Sequence, residues 1–284
     1  MTHLHLDPDA RTGLRALGER LRTGKASAEA PAPAVAAPQR PAPMRALPLE
    51  VDLVPVEEVM PPPPSAPAPR LVIEGASAAE KLESLRRQAE TWVPARALGT
   101  LREVMVFATG NPAARIMLIG EAPGHEEEKK REPFVGPAGQ QLDRILKAMG
   151  LERGDVYISN IVKFRPATAR QTTNNRAPTP EEIAACLPLV REEINIVRPQ
   201  CIIALGGSAA EGLLGTGATV GSLRGSWHDF EGVPVRVTYH PSYLLRSATD
   251  TGPKRLVWED MLAVMERTAL PISDKQRGFF LPKV

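Results

Sequence analysis

The chain has 284 residues, of which 43% are hydrophobic, and a formal net charge of +2. It is long enough to form one large or two small domains with a real core, and its near-neutral charge excludes a global basic field as the means of contacting nucleic acid. Its two cysteines cannot build a disulfide framework, and by themselves they cannot ligate a zinc ion or an iron–sulfur cluster.

The first 26 residues contain three leucines at helical spacing, Leu14, Leu17 and Leu21. This spacing predicts a short amphipathic helix, which is either a weakly docked tail or a partner-binding helix. The segment lacks the continuous apolar core of a signal peptide, and no apolar run elsewhere is long enough to span a bilayer. We therefore expect a cytoplasmic protein.

Residues 27–75 are dominated by proline and alanine, and 13 of the 29 prolines lie between Pro31 and Pro69. Such a stretch offers no periodic apolar face and resists both helix and sheet, so it is interpreted as a disordered linker. Ser77, with Glu80 three positions later, is typical of a capped helix start. We therefore expect a folded domain over residues 76–270, followed by a C-terminal tail over residues 271–284.

Short β-branched runs alternate with segments of helical periodicity from Ala114 onward. The predicted strands have the sequences RIMLIGEA, DVYISNIVK, CIIALGG and VPVRVTYHP. The alternation predicts an α/β fold with three layers, α/β/α, around a central, mostly parallel, four-stranded sheet. Each strand ends in polar or glycine-rich sequence, and parallel sheets bind their ligands at the carboxyl ends of the strands. Four strand ends are therefore expected to converge on one crevice.

The sequences at these strand ends resemble those of the uracil-DNA glycosylase superfamily, and most closely its family 4. The resemblance covers roughly residues 95–267 and rests on GEAPG, PFVGPAGQQLDRIL, YISNIVKFRP with TPEEIAAC, and HPSYLLR, in the family's order. It implies a uracil-DNA glycosylase that flips deoxyuridine out of DNA and hydrolyses its N-glycosidic bond, starting base excision repair at the bacterial nucleoid.

A pocket for uracil follows from the resemblance. Phe134 would supply a stacking face, and Asn160 would donate to O4 and accept from N3–H of uracil, which cytosine cannot match. Gly120 and Ala122 would line the same pocket. The residues alone favour Phe134 as a core residue and Asn160 as a helix cap, and the four motifs in the family's order reverse that preference.

The resemblance also implies three catalytic residues. His240 would hydrogen-bond uracil O2 and stabilise the negative charge on the leaving base. Glu121 and Glu127 would lie near the sugar, where one of them positions the attacking water. How these two acids divide the work stays open.

Contacts to DNA are expected from the segment after the last strand and from the segment after the second. In the family the apolar YLL sequence enters the minor groove, and either Leu244 or Leu245 takes the place of the flipped nucleotide. Other residues that we expect to contact DNA are Ser242, Arg246, Lys163 and Arg165.

Family 4 enzymes usually carry a 4Fe–4S cluster on four cysteines. The matching positions here are Val93, Arg96, Phe164 and Cys186, so one ligand of four is retained. One thiolate cannot hold such a cluster, and we expect none, with packing of Val93 and Phe164 in its place.

The expected protein is a monofunctional glycosylase, a monomer whose partner is uracil-containing DNA. The alternative is a non-catalytic DNA-binding or repair-recruitment module on a degenerate glycosylase fold. A small-molecule nucleotide hydrolase is disfavoured, because GEAPG lacks the lysine and hydroxyl of a P-loop.

The C-terminal sequence QRGFF, from Gln276 to Phe280, resembles the short peptides by which bacterial repair and replication proteins bind the sliding clamp. The alternative is that Phe279 and Phe280 fold back and cover the core of the domain.

Overall fold

The structure is a computed structural model that describes residues 69–246 and 250–280. The predicted amphipathic helix within residues 1–26, and all of the predicted linker up to residue 68, lie outside the described residues. Within the described ranges, each helix is either too short or too polar to cross a lipid bilayer.

The eight strands within the described residues form a six-stranded sheet and a separate two-stranded one. The strands are β1 (Leu101–Met105), β2 (Thr109–Gly110), β3 (Ile116–Gly120), β4 (Tyr157–Asn160), β5 (Phe164–Pro166), β6 (Cys201–Leu205), β7 (Trp227–Phe230) and β8 (Val233–Thr238). The large sheet has the order β2-β4-β3-β6-β8-β7, and β1 pairs with β5 in the small one. Neighbours within β4-β3-β6-β8 are parallel, which confirms the predicted four-stranded core.

Two edge strands and the small sheet were not predicted. β2 and β7 pair antiparallel with β4 and β8 at the two edges of the sheet. β2 has only two residues, too few to produce an alternating pattern. β7 and β8 form a hairpin whose turn residues, Glu231 and Gly232, both have positive φ angles of 51° and 87°.

The helices are α1 (Ala78–Glu90), α2 (Val93–Arg96), α3 (His125–Lys130), α4 (Pro137–Met149), α5 (Pro180–Val197), α6 (Gly207–Leu214), α7 (Val220–Leu223), α8 (Pro241–Arg246), α9 (Thr251–Arg267) and α10 (Asp274–Arg277), with a 3₁₀ turn at Arg153–Asp155. α1 begins directly after Ser77, whose Oγ accepts from the Glu80 amide at 3.2 Å while the Glu80 carboxylate accepts from the Ser77 amide at 2.9 Å. The predicted helix start and its capping box are thus confirmed.

Helices cover both faces of the large sheet. Met117 and Ile119 of β3 belong to a core that includes residues of α1, α5 and α6. The alternate residues, Ile116 and Leu118, belong to a second core with residues of α4 and α9. Because successive strand residues point to opposite faces, these two cores confirm the three-layer α/β/α architecture.

The C-terminal segment packs on the second of these cores. Gln276 Nε2 donates to the Ala148 carbonyl at 2.8 Å, and Trp258 Nε1 donates to the Gln276 carbonyl at 2.8 Å. The Phe279 ring lies 5.0 Å from the Trp258 ring, and Phe280 packs against the core. Of the two alternatives for this segment, the contacts favour folding back onto the domain.

Candidate active site

A cleft of about 570 Å³ opens at the carboxyl ends of the parallel strands. The residues directly after β3, β6 and β8, and the last residue of β4, contribute to its wall, as expected for a parallel sheet. Its lining includes most of the predicted catalytic and uracil-binding residues, namely Glu121, Ala122, Glu127, Phe134, Asn160 and His240.

Asn160 forms the inner wall of the cleft, where it ends β4 beside Gly120 of β3. Its side chain is buried, yet its amide makes no hydrogen bond to any described residue. A Cβ on Gly120 would overlap both Asn160 Oδ1 and the Phe134 ring. Gly120 is therefore needed for the amide and the aromatic ring to approach each other, which leaves an unpaired donor and acceptor facing the cleft beside an aromatic face.

Phe134 projects from a turn between α3 and α4 in a left-handed conformation, with φ at 56°. This region is unusual for a bulky residue and costs about 1–2 kcal/mol, so the surrounding contacts must hold it. The Phe134 ring lies 5.7 Å from the His240 ring at an angle of 31°. The two rings thus belong to one site.

His240 follows β8 and is held by Ser242. The backbone N–H of Ser242 donates to His240 Nδ1 at 3.2 Å, and Ser242 Oγ lies 2.8 Å from the same nitrogen. Since an amide N–H can only donate, Nδ1 must be the unprotonated nitrogen and Nε2 carries the hydrogen. Burial, together with the positive charge of Arg246, lowers the pKa of His240 to about 4. At neutral pH the imidazole is therefore an uncharged Nε2–H donor.

The two predicted acids have different surroundings. Ser208 Oγ donates to Glu121 Oε2 at 2.7 Å. The other carboxylate oxygen, Oε1, accepts no hydrogen bond from a described residue. Glu127 accepts from three backbone amides, those of Gly124 at 3.2 Å, Val135 at 3.0 Å and Gly136 at 2.8 Å. Its carboxylate therefore holds the ends of two loops together as well as lining the cleft.

The cleft contains residues that the sequence analysis did not identify. Asn175 lines it from the loop between β5 and α5, where its Oδ1 accepts from Arg165 Nε at 2.9 Å. Tyr239 and Tyr243 also line it, and their rings stack at 4.8 Å. Asn175 lies in a loop whose sequence shows no periodicity. The only sequence signals for an ordered loop here were two arginines that can hydrogen-bond to it, Arg165 and Arg176.

Lys163 and Arg165 do not reach the surface, so their prediction as DNA contacts is wrong. The Lys163 side chain is fully buried, pairs with Glu193 and donates to the Asn160 carbonyl at 3.0 Å. Arg165 is 1% exposed and pairs with Glu128 at 2.9 Å. A buried cation needs a counter-charge, and Glu193 and Glu128 supply the counter-charges for Lys163 and Arg165 inside the domain.

Leu244 is also wrong as a DNA contact, because it is buried in the core that includes α4 and α9. Leu245, the other candidate, is 39% exposed. Arg246 is exposed beside it and lines the mouth of the cleft, while Ser242 is engaged with His240. Of the predicted contacts in this segment, Leu245 and Arg246 stay accessible to DNA.

The positions that correspond to the family's cluster ligands do not fit an iron–sulfur cluster. Burial raises the pKa of the Cys186 thiol to about 11, which opposes formation of a thiolate ligand. The Arg96 guanidinium lies 4.5 Å above the centre of the buried Phe164 ring, a cation–π contact between the α2 segment and β5. Val93 is 63% exposed, so the expected packing is made by Phe164 and not by Val93.

Known proteins resemble this chain over the part that forms the parallel strands and the cleft. Residues 107–262 match the family model described as the uracil DNA glycosylase superfamily. The type-4 uracil-DNA glycosylase of Thermotoga maritima is 43% identical over 162 residues, which make up 56% of this chain and 81% of that protein. The type-4 enzyme of Pyrobaculum aerophilum is 41% identical over 153 residues, 51% of this chain and 75% of that protein. The type-5 enzyme of the same organism is 34% identical over 177 residues, 56% of this chain and 73% of that protein. The chain therefore belongs to the uracil-DNA glycosylase superfamily and is a member of its type-4 family.

Proposed function

We propose that this protein is a monofunctional DNA glycosylase that flips deoxyuridine out of DNA and hydrolyses the bond between C1′ and N1 of uracil. The observation that carries the proposal is the unpaired Asn160 amide, which lines the cleft together with Phe134 and the neutral His240. The amide atoms reach the open cleft, because every fully buried side-chain N or O atom of the described residues has a partner, so a ligand in the cleft can take their hydrogen bonds. The Watson–Crick edge of uracil offers the matching acceptor and donor.

Each of these residues has a defined task in the proposed reaction. Uracil stacks on Phe134, and the Asn160 amide pairs with N3–H and O4. As the bond from C1′ to N1 breaks, both electrons pass to the base, and the Nε2–H of His240 supports the negative charge that collects on O2. A donor aimed at the leaving base favours the transition state over the bound substrate, which is how it raises the rate.

The attacking water is assigned to Glu121. Glu127 has both carboxylate oxygens bonded to backbone amides, whereas Glu121 keeps one oxygen without a partner among the described residues. A carboxylate with a free oxygen can accept a hydrogen bond from water and orient it toward C1′. The amide of Asn175, across the cleft, is a second polar group that this water could contact.

Hydrolysis without strand cleavage is supported by the composition of the cleft. A glycosylase that also cuts the strand needs an amine nucleophile to form a Schiff base with the sugar. None of the described residues that line the cleft is a lysine, and Lys163, the nearest in sequence to Asn160, is paired with Glu193.

The proposal is tested with purified full-length protein on single- and double-stranded oligonucleotides that contain one uracil. We expect release of uracil and strand cleavage only after alkali. The recognition step is tested with Asn160→Asp, which should narrow the preference for uracil over cytosine because one donor becomes an acceptor. The exposed Asn195 on α5 provides the control, Asn195→Asp. Binding to DNA without release of base from either substrate would instead favour the non-catalytic module.

We also propose that the enzyme needs no iron–sulfur cluster. The donor set supports this, since only Cys186 occupies one of the four matching positions and its thiol is buried. The purified protein should be colourless, and excision should survive incubation with an iron chelator. Stoichiometric iron in the active protein would overturn this proposal.

Binding of the sliding clamp through Gln276–Phe280 stays a prediction. A clamp could take this peptide only if Gln276 left Ala148 and if Phe280 left the core. Retention of the full chain on immobilised clamp, compared with the Gln276→Ala variant, tests it. Equal retention of both proteins would mean that the clamp does not bind through Gln276, and no retention of the full chain would remove the clamp as a partner.

A further inference from the structure

Two side chains of opposite charge, Glu127 and Arg153, hydrogen-bond to the backbone of the turn that carries Phe134. On one side, Glu127 Oε1 accepts from the amides of Val135 and Gly136 at 3.0 and 2.8 Å. On the other, Arg153 Nη2 donates to the Pro133 carbonyl at 2.7 Å and Nη1 donates to the Phe134 carbonyl at 3.0 Å. The peptide groups on both sides of Phe134 are thereby fixed in direction.

These hydrogen bonds stabilise an unfavourable backbone conformation, because Phe134 is in the left-handed region. A bulky residue leaves that region for an extended or helical conformation unless its surroundings prevent it. Such a change would turn the Phe134 carbonyl and swing the ring out of the cleft. The carbonyl also lies so close to Gly139 that a Cβ at residue 139 would overlap it, so the first turn of α4 closes the third side.

Arg153 is itself held in place. It belongs to the 3₁₀ turn between α4 and β4, and its Nη1 also donates to Asp143 Oδ1 of α4 at 3.0 Å. Its Nη2 lies 3.5 Å from Glu132 Oε1. Bidentate donation from a planar guanidinium fixes orientation as well as distance. Arg153 does not line the cleft, so any effect it has on the base passes through Phe134.

We propose that Arg153 is a positioning residue that holds the stacking face of Phe134 over the base pocket and thereby sets the affinity for uracil. The proposal rests on the proposed function, because it takes Phe134 as the surface on which uracil stacks. It assigns Arg153 to recognition of the base and not to binding of the DNA backbone, although an arginine in a glycosylase would ordinarily be expected at a phosphate.

The test compares three variants of the full-length protein. Arg153→Met removes both donors and keeps an unbranched apolar stem, and Arg153→Lys keeps the charge but not the planar pair of donors. The control, Arg144→Met, removes an exposed arginine of α4 that donates only to Gln141 among the described residues. Three quantities are measured: inhibition by free uracil, affinity for a duplex with an abasic site, and the melting temperature.

Arg153→Met should weaken inhibition by free uracil about tenfold, in keeping with the loss of hydrogen bonds to a charged group, while the affinity for abasic DNA stays within twofold. Arg153→Lys should fall between Arg153→Met and the wild type, and Arg144→Met should match the wild type. Equal losses of uracil and abasic-DNA affinity would assign Arg153 to the DNA backbone and overturn the proposal. A changed melting temperature with unchanged uracil inhibition would assign it to folding alone.

A double-variant cycle with Phe134→Leu separates a route through Phe134 from any other. In the Phe134→Leu background, Arg153→Met should change uracil inhibition less than twofold, because the stacking face is already lost. A full tenfold effect in that background would overturn the proposal. If the wild type neither releases uracil nor binds it, the proposed function has failed, whereas normal wild-type behaviour with Arg153→Met equal to Arg144→Met refutes this inference alone.

Discussion

Two loops of this protein look alike in sequence and differ in the structure. Each follows a parallel strand and carries at least one basic residue expected to contact DNA. The β4 loop is defined as residues 161–179 and includes the short strand β5, and the β8 loop is defined as residues 239–246 and includes α8. In the β4 loop, Lys163 and Arg165 point inward and pair with buried or nearly buried glutamates. In the β8 loop, Leu245 and Arg246 are exposed. Lys163 and Arg165 help to hold the domain together, whereas Arg246 stays accessible at the mouth of the cleft.

The difference shows that the position of an acidic partner decides whether a basic residue after a strand is buried or exposed. Lys163 pairs with Glu193 and Arg165 with Glu128, which are 30 and 37 residues away in sequence. An acid so distant gives no local signal, although it determines which way the cation faces. Substitutions in the β4 loop should therefore reduce stability, whereas those in the β8 loop should reduce excision or DNA binding.

The largest effect is expected from Lys163→Met. Removing this ammonium leaves Glu193 buried without its counter-charge, which should lower the free energy of unfolding by about 3–5 kcal/mol. Denaturation in urea measures it, with the exposed Lys147→Met of α4 as the control. The double variant Lys163→Met/Glu193→Leu should regain part of the loss. Unchanged stability with weaker DNA binding would restore Lys163 as a phosphate contact.

The next effect concerns His240, at the start of the β8 loop. His240→Ala removes the Nε2–H donor that is proposed to support the charge on the leaving base, so it should slow excision by roughly 10²- to 10³-fold, as measured under single-turnover conditions. His228→Ala is the control, since His228 Nε2 bonds to the Leu223 carbonyl outside the cleft. Equal slowing by both variants would remove His240 from the reaction.

The sequence predicted those parts of the molecule that depend on local pattern. The capping box at Ser77 and Glu80 needs only four residues, and the parallel strands need only a β-branched run. Phe134, Asn160 and His240 were predicted from the resemblance to the family's motifs, and two of them, Asn160 and His240, lie where parallel strands end. Their convergence then follows from sheet topology.

The sequence could not predict side-chain direction where it depends on distant partners. Leu244 and Leu245 are adjacent and equally apolar, and only the rotation of α8 against α4 buries the first and exposes the second. Asn175 could not be predicted either, because its place in the cleft is set by Arg165, which is held in turn by Glu128.

A smaller effect is expected from the titration of His240. Its folded pKa, about 4, lies below the value of about 6.5 in the unfolded chain. The unfolded state therefore binds more protons between these values, and stability falls as the pH drops from 6.5 toward 4, with no contribution above. Between pH 7 and pH 5 the free energy of unfolding should therefore fall by about 2 kcal/mol, at about 1.4 kcal/mol per pKa unit.

His240→Ala removes this contribution and leaves unchanged the two acids that pair with the β4 loop, Glu128 and Glu193. Urea denaturation of both proteins at pH 7 and pH 5 should therefore show a smaller loss of stability in the variant. The same loss in both would mean that the folded imidazole is not held neutral.

The smallest effect separates Leu245 from Arg246 within the β8 loop. A side chain that contacts phosphate displaces counterions, so Arg246→Gln should reduce the slope of log affinity against log salt concentration by about one. Leu245→Ala removes an apolar wedge and should weaken binding to duplex with an unchanged salt slope.

Because Arg246 helps to lower the pKa of His240, Arg246→Gln should also raise that pKa toward its ordinary value. Titration of the His240 ring by nuclear magnetic resonance, beside binding at several salt concentrations, measures both consequences on one variant. An unchanged slope together with a raised pKa would mean that Arg246 acts on the imidazole alone, and the β8 loop would then contact DNA through Leu245 without a phosphate partner at Arg246.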